Sequence, residues 1–174
     1  TFGAVDAPDV VTGRVLPLPP AGDRIHPVAT RTDPRPRSFS RRAIPWGVGS
    51  GNNFALRREW FLRVGGCDER LGPGSPGEGG VDVDLFYQLL RAGARVRYEP
   101  ACVVFHERQD ATGRMARRFP YGHGTGACVA LWLRSGDASA SWILVRWLLH
   151  RTRRLVAGAL RLDGQRVTVS LTSY

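Results

Sequence analysis

The sequence predicts an α/β fold, and three features of the chain lead to that prediction. The apolar run over 10–16 is typical of a short buried strand. Residues 82–93 place apolar side chains at helical spacing and then end in glycine. Directly after them, the runs RVRY and CVVF have the patterns of a half-exposed strand and a buried strand. Strands that alternate with an amphipathic helix favour the α/β class.

Composition narrows the classes of function. A chain of 174 residues can form one domain with a real core. The formal net charge of +10 favours contact with anions, which include nucleic acid, an anionic membrane face and phosphate-bearing substrates. The three cysteines lack the spacing of a disulfide framework or a zinc site and fit a reducing compartment. No apolar run approaches the roughly 18–20 residues that a membrane span needs.

The first half of the chain contains two segments of different character. The strand over 10–16 stops at prolines, which cannot donate to a ladder. Residues 17–42 are rich in Pro, Arg, Asp and Ser without periodicity, which predicts a loop or mobile segment. The stretch PWGVGSGNNFALRREWFLRVGG then changes from a glycine-rich turn to a helix, with Gly65 and Gly66 as its C-terminal stop.

The glycine-rich turn permits two interpretations. Gly49 and Gly51 would let the backbone pass close to a ligand, and the helix N-terminus that follows favours anions. Alternatively, the two glycines only form a turn and Asn52 caps the helix. The turn is not a P-loop, because it lacks the lysine of that motif. Spacing alone leaves both interpretations open.

Two carboxylates stand at the start of the helix over 82–93. Two residues apart on a helix, Asp82 and Asp84 point about 200° away from each other, so they cannot form a paired acid and base. Asp82 can cap the helix and is better placed to meet a ligand, where it could take a proton from an attacking hydroxyl. We expect Asp84 to support the first turn. The alternative is that both acids only complement the helix dipole.

A histidine, His106, follows the CVVF run. In open α/β sheets, ligands bind beyond the carboxyl ends of strands, which suits a site residue at this position. A neutral imidazole there could complete the coordination of a divalent cation held mainly by carboxylates and phosphate oxygens. A lone histidine is more often a structural or surface residue, so this pattern does not decide the role of His106.

The order of these motifs resembles the second half of a family 2 glycosyltransferase domain of the GT-A fold. The resemblance rests on GSGNNFALRREWFLRVGGCDERLGPG followed by GVDVDLFYQLLRAGARVRYEPACVVFH, and it continues more loosely through YGHGTGACVALWL. It implies an incomplete GT-A (nucleotide-diphospho-sugar transferase) fold over 1–110, with a partial mixed sheet and flanking helices. A helical, basic region over 111–162 and a tail over 163–174 would follow.

The resemblance also implies an activity and assigns roles to individual residues. The activity is inverting transfer of a sugar from a nucleoside diphosphate sugar to a hydroxyl of a glycan or lipid-linked acceptor, as in cell-envelope polysaccharide or glycolipid synthesis. The base would be Asp82, and His106 would join the ligands of Mg²⁺ or Mn²⁺. The residues expected to border the acceptor and sugar are Gly49, Gly51, Asn52, Asn53 and Asp84.

The chain departs from this family in three places. The family has Glu immediately before the aspartate that Asp82 matches, whereas this chain has Val81; Glu78 could reach the same space from the preceding loop. Cys67 replaces the usual Phe after Gly-Gly. The family's Asp-x-Asp, which holds the cation and diphosphate, does not precede these motifs here. We therefore expect a fragment that carries acceptor-side elements and does not turn over alone.

The C-terminal region combines tryptophans and aliphatic residues with arginines. This pattern is typical of an interfacial helix on an anionic membrane face, and it predicts a cytoplasmic protein at the inner face of the cell membrane. Alternatively, the apolar stripe packs against another part of the domain. We expect no nucleic-acid partner, because no recognised nucleic-acid-binding motif occurs. The competing hypothesis is a non-catalytic or degenerate basic module that binds a membrane surface or nucleic acid.

Overall fold

A four-stranded mixed sheet organises the first part of the chain. The structure, a computed structural model, describes residues 7–22 and 25–160, so the predicted tail over 163–174 lies outside the described residues. The strands are β1 (Val10–Pro17), β2 (Arg37–Phe39), β3 (Phe54–Leu56) and β4 (Val96–His106). The helices are α1 (Arg58–Arg63), α2 (Val81–Arg91), α3 (Ala111–Ala116), α4 (Arg118–Arg134) and α5 (Ser139–Leu160).

The sheet has the strand order β2-β4-β1-β3. The central strands β1 and β4 run parallel, and the edge strands β2 and β3 pair antiparallel to them. An α/β fold with a small mixed sheet and flanking helices is therefore confirmed. The finer assignment to the GT-A fold stays a prediction.

The chain divides into two units. Among the described residues, the first draws on 7–22, 25–68 and 82–111 and contains the sheet, α1 and nearly all of α2. The second draws on 69–81 and 112–160 and contains nearly all of α3, together with α4 and α5.

The core of the first unit lies between α2 and the sheet. The apolar stripe predicted for this helix is buried against Val10 of β1, Val96 of β4 and Val48 of the glycine-rich loop. The stripe consists of Leu85, Phe86, Leu89 and Leu90. Each such side chain contributes roughly 1.5–3 kcal/mol by leaving water. This packing fixes α2 on the sheet and with it the position of the first turn of the helix.

The strand β4 differs from its prediction. RVRY and CVVF were expected as two strands, but they form one strand of 11 residues. Its pairing with β1 shifts register, because Gly13 faces Glu99 whereas Arg14 faces Val103. The skipped stretch begins with Pro100, which cannot donate to the ladder.

The prediction that CVVF is buried is wrong. Val103 and Phe105 are both exposed in the described structure. An 11-residue helix such as α2 is about 16 Å long, whereas an 11-residue strand such as β4 spans roughly 36 Å. The helix can therefore cover only part of the strand.

Two further elements were not predicted as the structure has them. The three-residue strand β2 lies inside the segment 17–42 that was assigned to a loop. The sequence predicts a helix directly after the glycine-rich turn, but β3 comes first and ends at Leu56, and α1 begins only at Arg58. Both strands are very short, and they form through pairing with distant partners that local periodicity does not reveal.

In the second unit, α4 and α5 pack against each other and are joined by the short connection over 135–138. Asp137 holds the start of α5. Its Oδ1 accepts a hydrogen bond from the backbone N–H of Ser139 at 3.0 Å and another from the hydroxyl of Ser139 at 2.6 Å. The buried side chains of the two helices include Cys128, Val129, Trp132, Ala140, Ile143 and Trp147. Within residues 7–22 and 25–160, no helix has the combined length and apolarity needed to cross a bilayer.

Candidate functional site

The glycine-rich loop is pinned to β1. The hydroxyl of Thr12 donates to the carbonyl of Val48 at 2.6 Å, and both residues are fully buried. A Cβ atom at Gly49 would lie 2.5 Å from Cγ2 of Thr12, closer than side-chain carbons pack. The glycine at position 49 therefore permits the close approach of the loop to the strand.

The same loop is also held by the first turn of α2. The backbone N–H of Gly51 donates to Oδ2 of Asp82 at 2.9 Å, and the N–H of Val83 donates to Oδ1 at 3.0 Å. A Cβ atom at Gly51 would lie 2.9 Å from Oδ2, so a larger residue would push the carboxylate away. Because α2 begins at Val81, Asp82 lies inside the first turn, and the prediction that it caps the helix is wrong.

A cleft of about 220 Å³ opens beside this carboxylate. Its lining residues are Ala29, Thr30, Arg31, Trp46, Gly49, Ser50, Asp82, Val83 and Phe86. Whole ligands usually occupy roughly 300–1,000 Å³, so this cleft fits part of a substrate. An ionised carboxylate offers about four acceptor positions. The two backbone bonds leave acceptor capacity on Asp82 for a ligand hydroxyl.

The two asparagines of the loop have different environments. Nδ2 of Asn53 donates to the carbonyl of Arg14 at 2.8 Å and to that of Cys102 at 3.0 Å. These bonds join the loop to both strands where their register shifts, so the described role of Asn53 is structural. Asn52 is exposed and is followed by β3, so the alternative that it caps a helix is wrong.

Asp84 does not line the cleft. Its side chain is buried on the helix that carries Asp82, and we expect it to support the first turn there. Burial, and then the carboxylates of Asp84 and Asp82, raise the pKa of the Cys67 thiol. Cys67 therefore reports on the negative charge at the start of α2.

The structure does not bring His106 to the cleft. His106 is not among the lining residues, and its Nδ1 lies 2.8 Å from the carbonyl oxygen of Glu107. Cys102, which binds Asn53 of the glycine-rich loop, precedes His106 by four positions, or roughly 13 Å along a strand.

The described residues do not by themselves form a metal site. Across 7–22 and 25–160, no three His, Cys, Asp or Glu side chains lie close enough to hold a metal ion. The roles of His106 and of Mg²⁺ or Mn²⁺ stay predictions, and the mechanism below includes no step through a metal.

Sequence reasoning missed Arg31, which lines the cleft. Its guanidinium lies 4.6 Å from the ring centre of Tyr98 and 5.8 Å from that of Phe39, and it donates to the carbonyl of Gly47. Its Nε has no hydrogen-bond partner among the described residues. Burial lowers the pKa of Arg31, which still remains a cation at neutral pH. Its segment lacks periodicity, and the aromatic contacts come from β2 and β4, so no local signal identified it.

The loop that precedes α2 packs within the second unit. A Cβ atom at Gly124 of α4 would lie 2.4 Å from the backbone of Gly79. The thiol of Cys128 donates to the carbonyl of Gly80 at 3.3 Å. Glu78 is exposed in a left-handed conformation, with φ of 57°. The suggestion that Glu78 substitutes for the acid missing at Val81 stays a prediction.

Part of the chain is similar to characterised proteins. It is 37% identical over 92 residues to the pre-mycofactocin glycosyltransferases of two strains of Mycobacterium tuberculosis, CDC 1551 / Oshkosh and ATCC 25618 / H37Rv. The match covers 49% of this chain and 18% of the length of each relative. No protein-family model matches the chain, and no solved structure matches it significantly.

The thiol of Cys67 tests the electrostatics at the start of α2. The Asp84→Asn variant removes a negative charge that raises the pKa of Cys67, so more thiolate is present at neutral pH. We expect iodoacetamide to alkylate Cys67 faster in this variant, with the difference shrinking at high pH, where the thiol is ionised in both proteins. Peptide mass spectrometry measures the rate. Glu69→Gln changes a neighbouring acid that is not among these causes and is the control, and equal rates for both variants would refute the arrangement.

Proposed function

We propose that this chain is the acceptor-side part of a family 2 glycosyltransferase of the GT-A fold. In this proposal it helps to move a sugar, with inversion, from a nucleoside diphosphate sugar to an acceptor hydroxyl. The partial similarity to a glycosyltransferase supports a glycosyl-transfer function. The observation that carries the proposal is the carboxylate of Asp82, which is fixed by two backbone N–H groups and lies at a cleft.

In the proposed mechanism, Asp82 is the general base. Its carboxylate accepts the proton of the acceptor hydroxyl while that oxygen attacks the anomeric carbon and the bond to the diphosphate breaks. The transition state resembles an oxocarbenium ion, as in glycoside hydrolysis. The bonds from Gly51 and Val83 orient the carboxylate before the acceptor arrives, which reduces the entropic cost of reaction.

Arg31 would hold the substrate at the cleft. Arg31 lines the cleft, and its guanidinium carries N–H donors. Such donors suit oxygen atoms of a hydroxyl, carboxylate or phosphate. Trp46 and Phe86 add apolar lining. Arg31 is thus a binding residue in the proposal, and Asp82 performs the chemistry.

Several finer parts of the proposal rest on the family resemblance. They are an acceptor in cell-envelope polysaccharide or glycolipid synthesis and a divalent cation, whereas the position at the inner face of the cell membrane rests on the tryptophans and arginines of the C-terminal region. The chain spans 18% of the length of the relatives it matches. We therefore also propose that these 174 residues alone are inactive and that turnover needs the full-length protein.

The competing proposal is a non-catalytic basic module, and the net charge of +10 supports it. Such a module would bind an anionic surface or nucleic acid without a response to nucleotide sugars. Salt-dependent retention on DNA, unchanged by any nucleotide sugar, would favour it over a transferase.

The Asp82→Asn variant of the full-length protein tests the base. We expect kcat to fall by about 10²–10⁴-fold, because the amide cannot accept the proton although it can still accept the N–H of Gly51. Release of nucleoside diphosphate from a panel of nucleotide sugars measures the rate. Glu59→Gln, an exposed acid on α1, is the control and should leave the rate unchanged. Full activity of Asp82→Asn would remove Asp82 from the mechanism.

The Arg31→Gln variant separates binding from chemistry. We expect KM for the acceptor or donor to rise by roughly tenfold or more, because a charged hydrogen bond contributes about 1.5–3 kcal/mol. The change in kcat should be small, and Arg31→Lys should recover part of the loss. Unchanged KM values in Arg31→Gln, with a folded protein by circular dichroism, would contradict this role.

A further inference from the structure

The helix α5 has a buried face and a separate exposed apolar face. Ala140, Ile143 and Trp147 recur at helical spacing and are buried in the second unit. These residues form the face by which α5 packs within its unit. Exposed apolar residues on its other side do not contribute to this packing.

A second apolar line lies on the opposite side of α5. Its members follow each other at intervals of three, four and seven residues, which places them within about 60° of one another on the helix. They are Trp142 (61% exposed), Val145 (45%), Leu149 (49%) and Val156 (50%). We call these four residues the outer stripe. A tryptophan with this exposure on a regular helix is typical of a side chain that meets a partner or an interface.

Cations flank the outer stripe. Arg146 lies over the ring of Trp142 at 5.8 Å, and Arg153 follows Leu149 and precedes Val156 along the same side. Residues 111–160 contain eight arginines and a single acid, Asp137, so this region carries a strong positive charge. Burial, Arg154 and Arg151 lower the pKa of His150, so this charge at neutral pH comes from arginine.

The outer stripe and its arginines match one kind of partner best. Nucleic acid could bind the arginines through its phosphates, but a line of Trp, Val and Leu would add little to that binding. An anionic lipid surface uses both features, since apolar side chains enter the boundary between headgroups and acyl chains while arginines meet the phosphates. We propose that α5 lies along an anionic membrane surface with its outer stripe facing the lipid. This inference does not depend on the proposed transfer reaction.

Vesicle binding by the 174-residue chain and by the full-length protein tests this surface. We expect both to sediment with vesicles of phosphatidylcholine and phosphatidylglycerol, less with phosphatidylcholine alone, and less at high salt. The Arg146→Gln/Arg153→Gln variant should lose roughly tenfold or more of its partition to anionic vesicles, because it removes two cations that attract the lipid phosphates. Arg41→Gln/Arg42→Gln removes two exposed charges from the first unit and should change binding less than about twofold.

The apolar contribution has its own matched pair of variants. Leu149→Gln should weaken binding to anionic vesicles, and Leu62→Gln, a similarly exposed position on α1, should not. Several results would overturn the proposal: no sedimentation with anionic vesicles, equal effects of the two double variants, or binding by the short chain but not by the full-length protein. A dimer in solution that Leu149→Gln disrupts would also overturn it, because a second copy would then cover the outer stripe.

Discussion

The hydrogen bond from the Gly51 N–H to the Asp82 carboxylate is the contact on which the candidate site depends. It joins the glycine-rich loop to α2, while Thr12 joins the same loop to β1 through Val48. Both attachments are close approaches that a Cβ atom at position 49 or 51 would obstruct. The loop therefore has a fixed course between a strand and a helix, and the cleft beside Asp82 follows from that course.

The loop has a further attachment where the pairing of the central strands is irregular. Where the pairing of β1 and β4 shifts register, Asn53 binds carbonyl groups of both strands and anchors the far end of the loop. Beyond this point β4 continues to His106, and α2 no longer packs over this part of the strand. His106 therefore lies at the far end of β4 and outside the lining of the cleft that contains Asp82.

Sequence reasoning predicted what local patterns determine. The buried stripe of α2 was found because a period of 3.6 residues reports burial directly, and the strand β1 was found from its apolar run. No local period encodes which distant segments pair. This pairing determines the strand β2, the exposure of Phe105 and the position of Arg31. For Asp82, the position at the start of the helix and the family resemblance suggested a site, yet its contact with Gly51 spans 31 positions and only the folded chain shows it.

The exchange rate of the Gly51 amide proton measures the central contact most directly. In the Asp82→Ala variant this amide loses its acceptor, whereas the Gly47 amide keeps its own bond to the carbonyl of Ile44. Hydrogen exchange followed by NMR should therefore show faster exchange at Gly51 and an unchanged rate at Gly47. An unchanged rate at Gly51 would mean that Asp82 does not hold the loop, and the site as described would not exist.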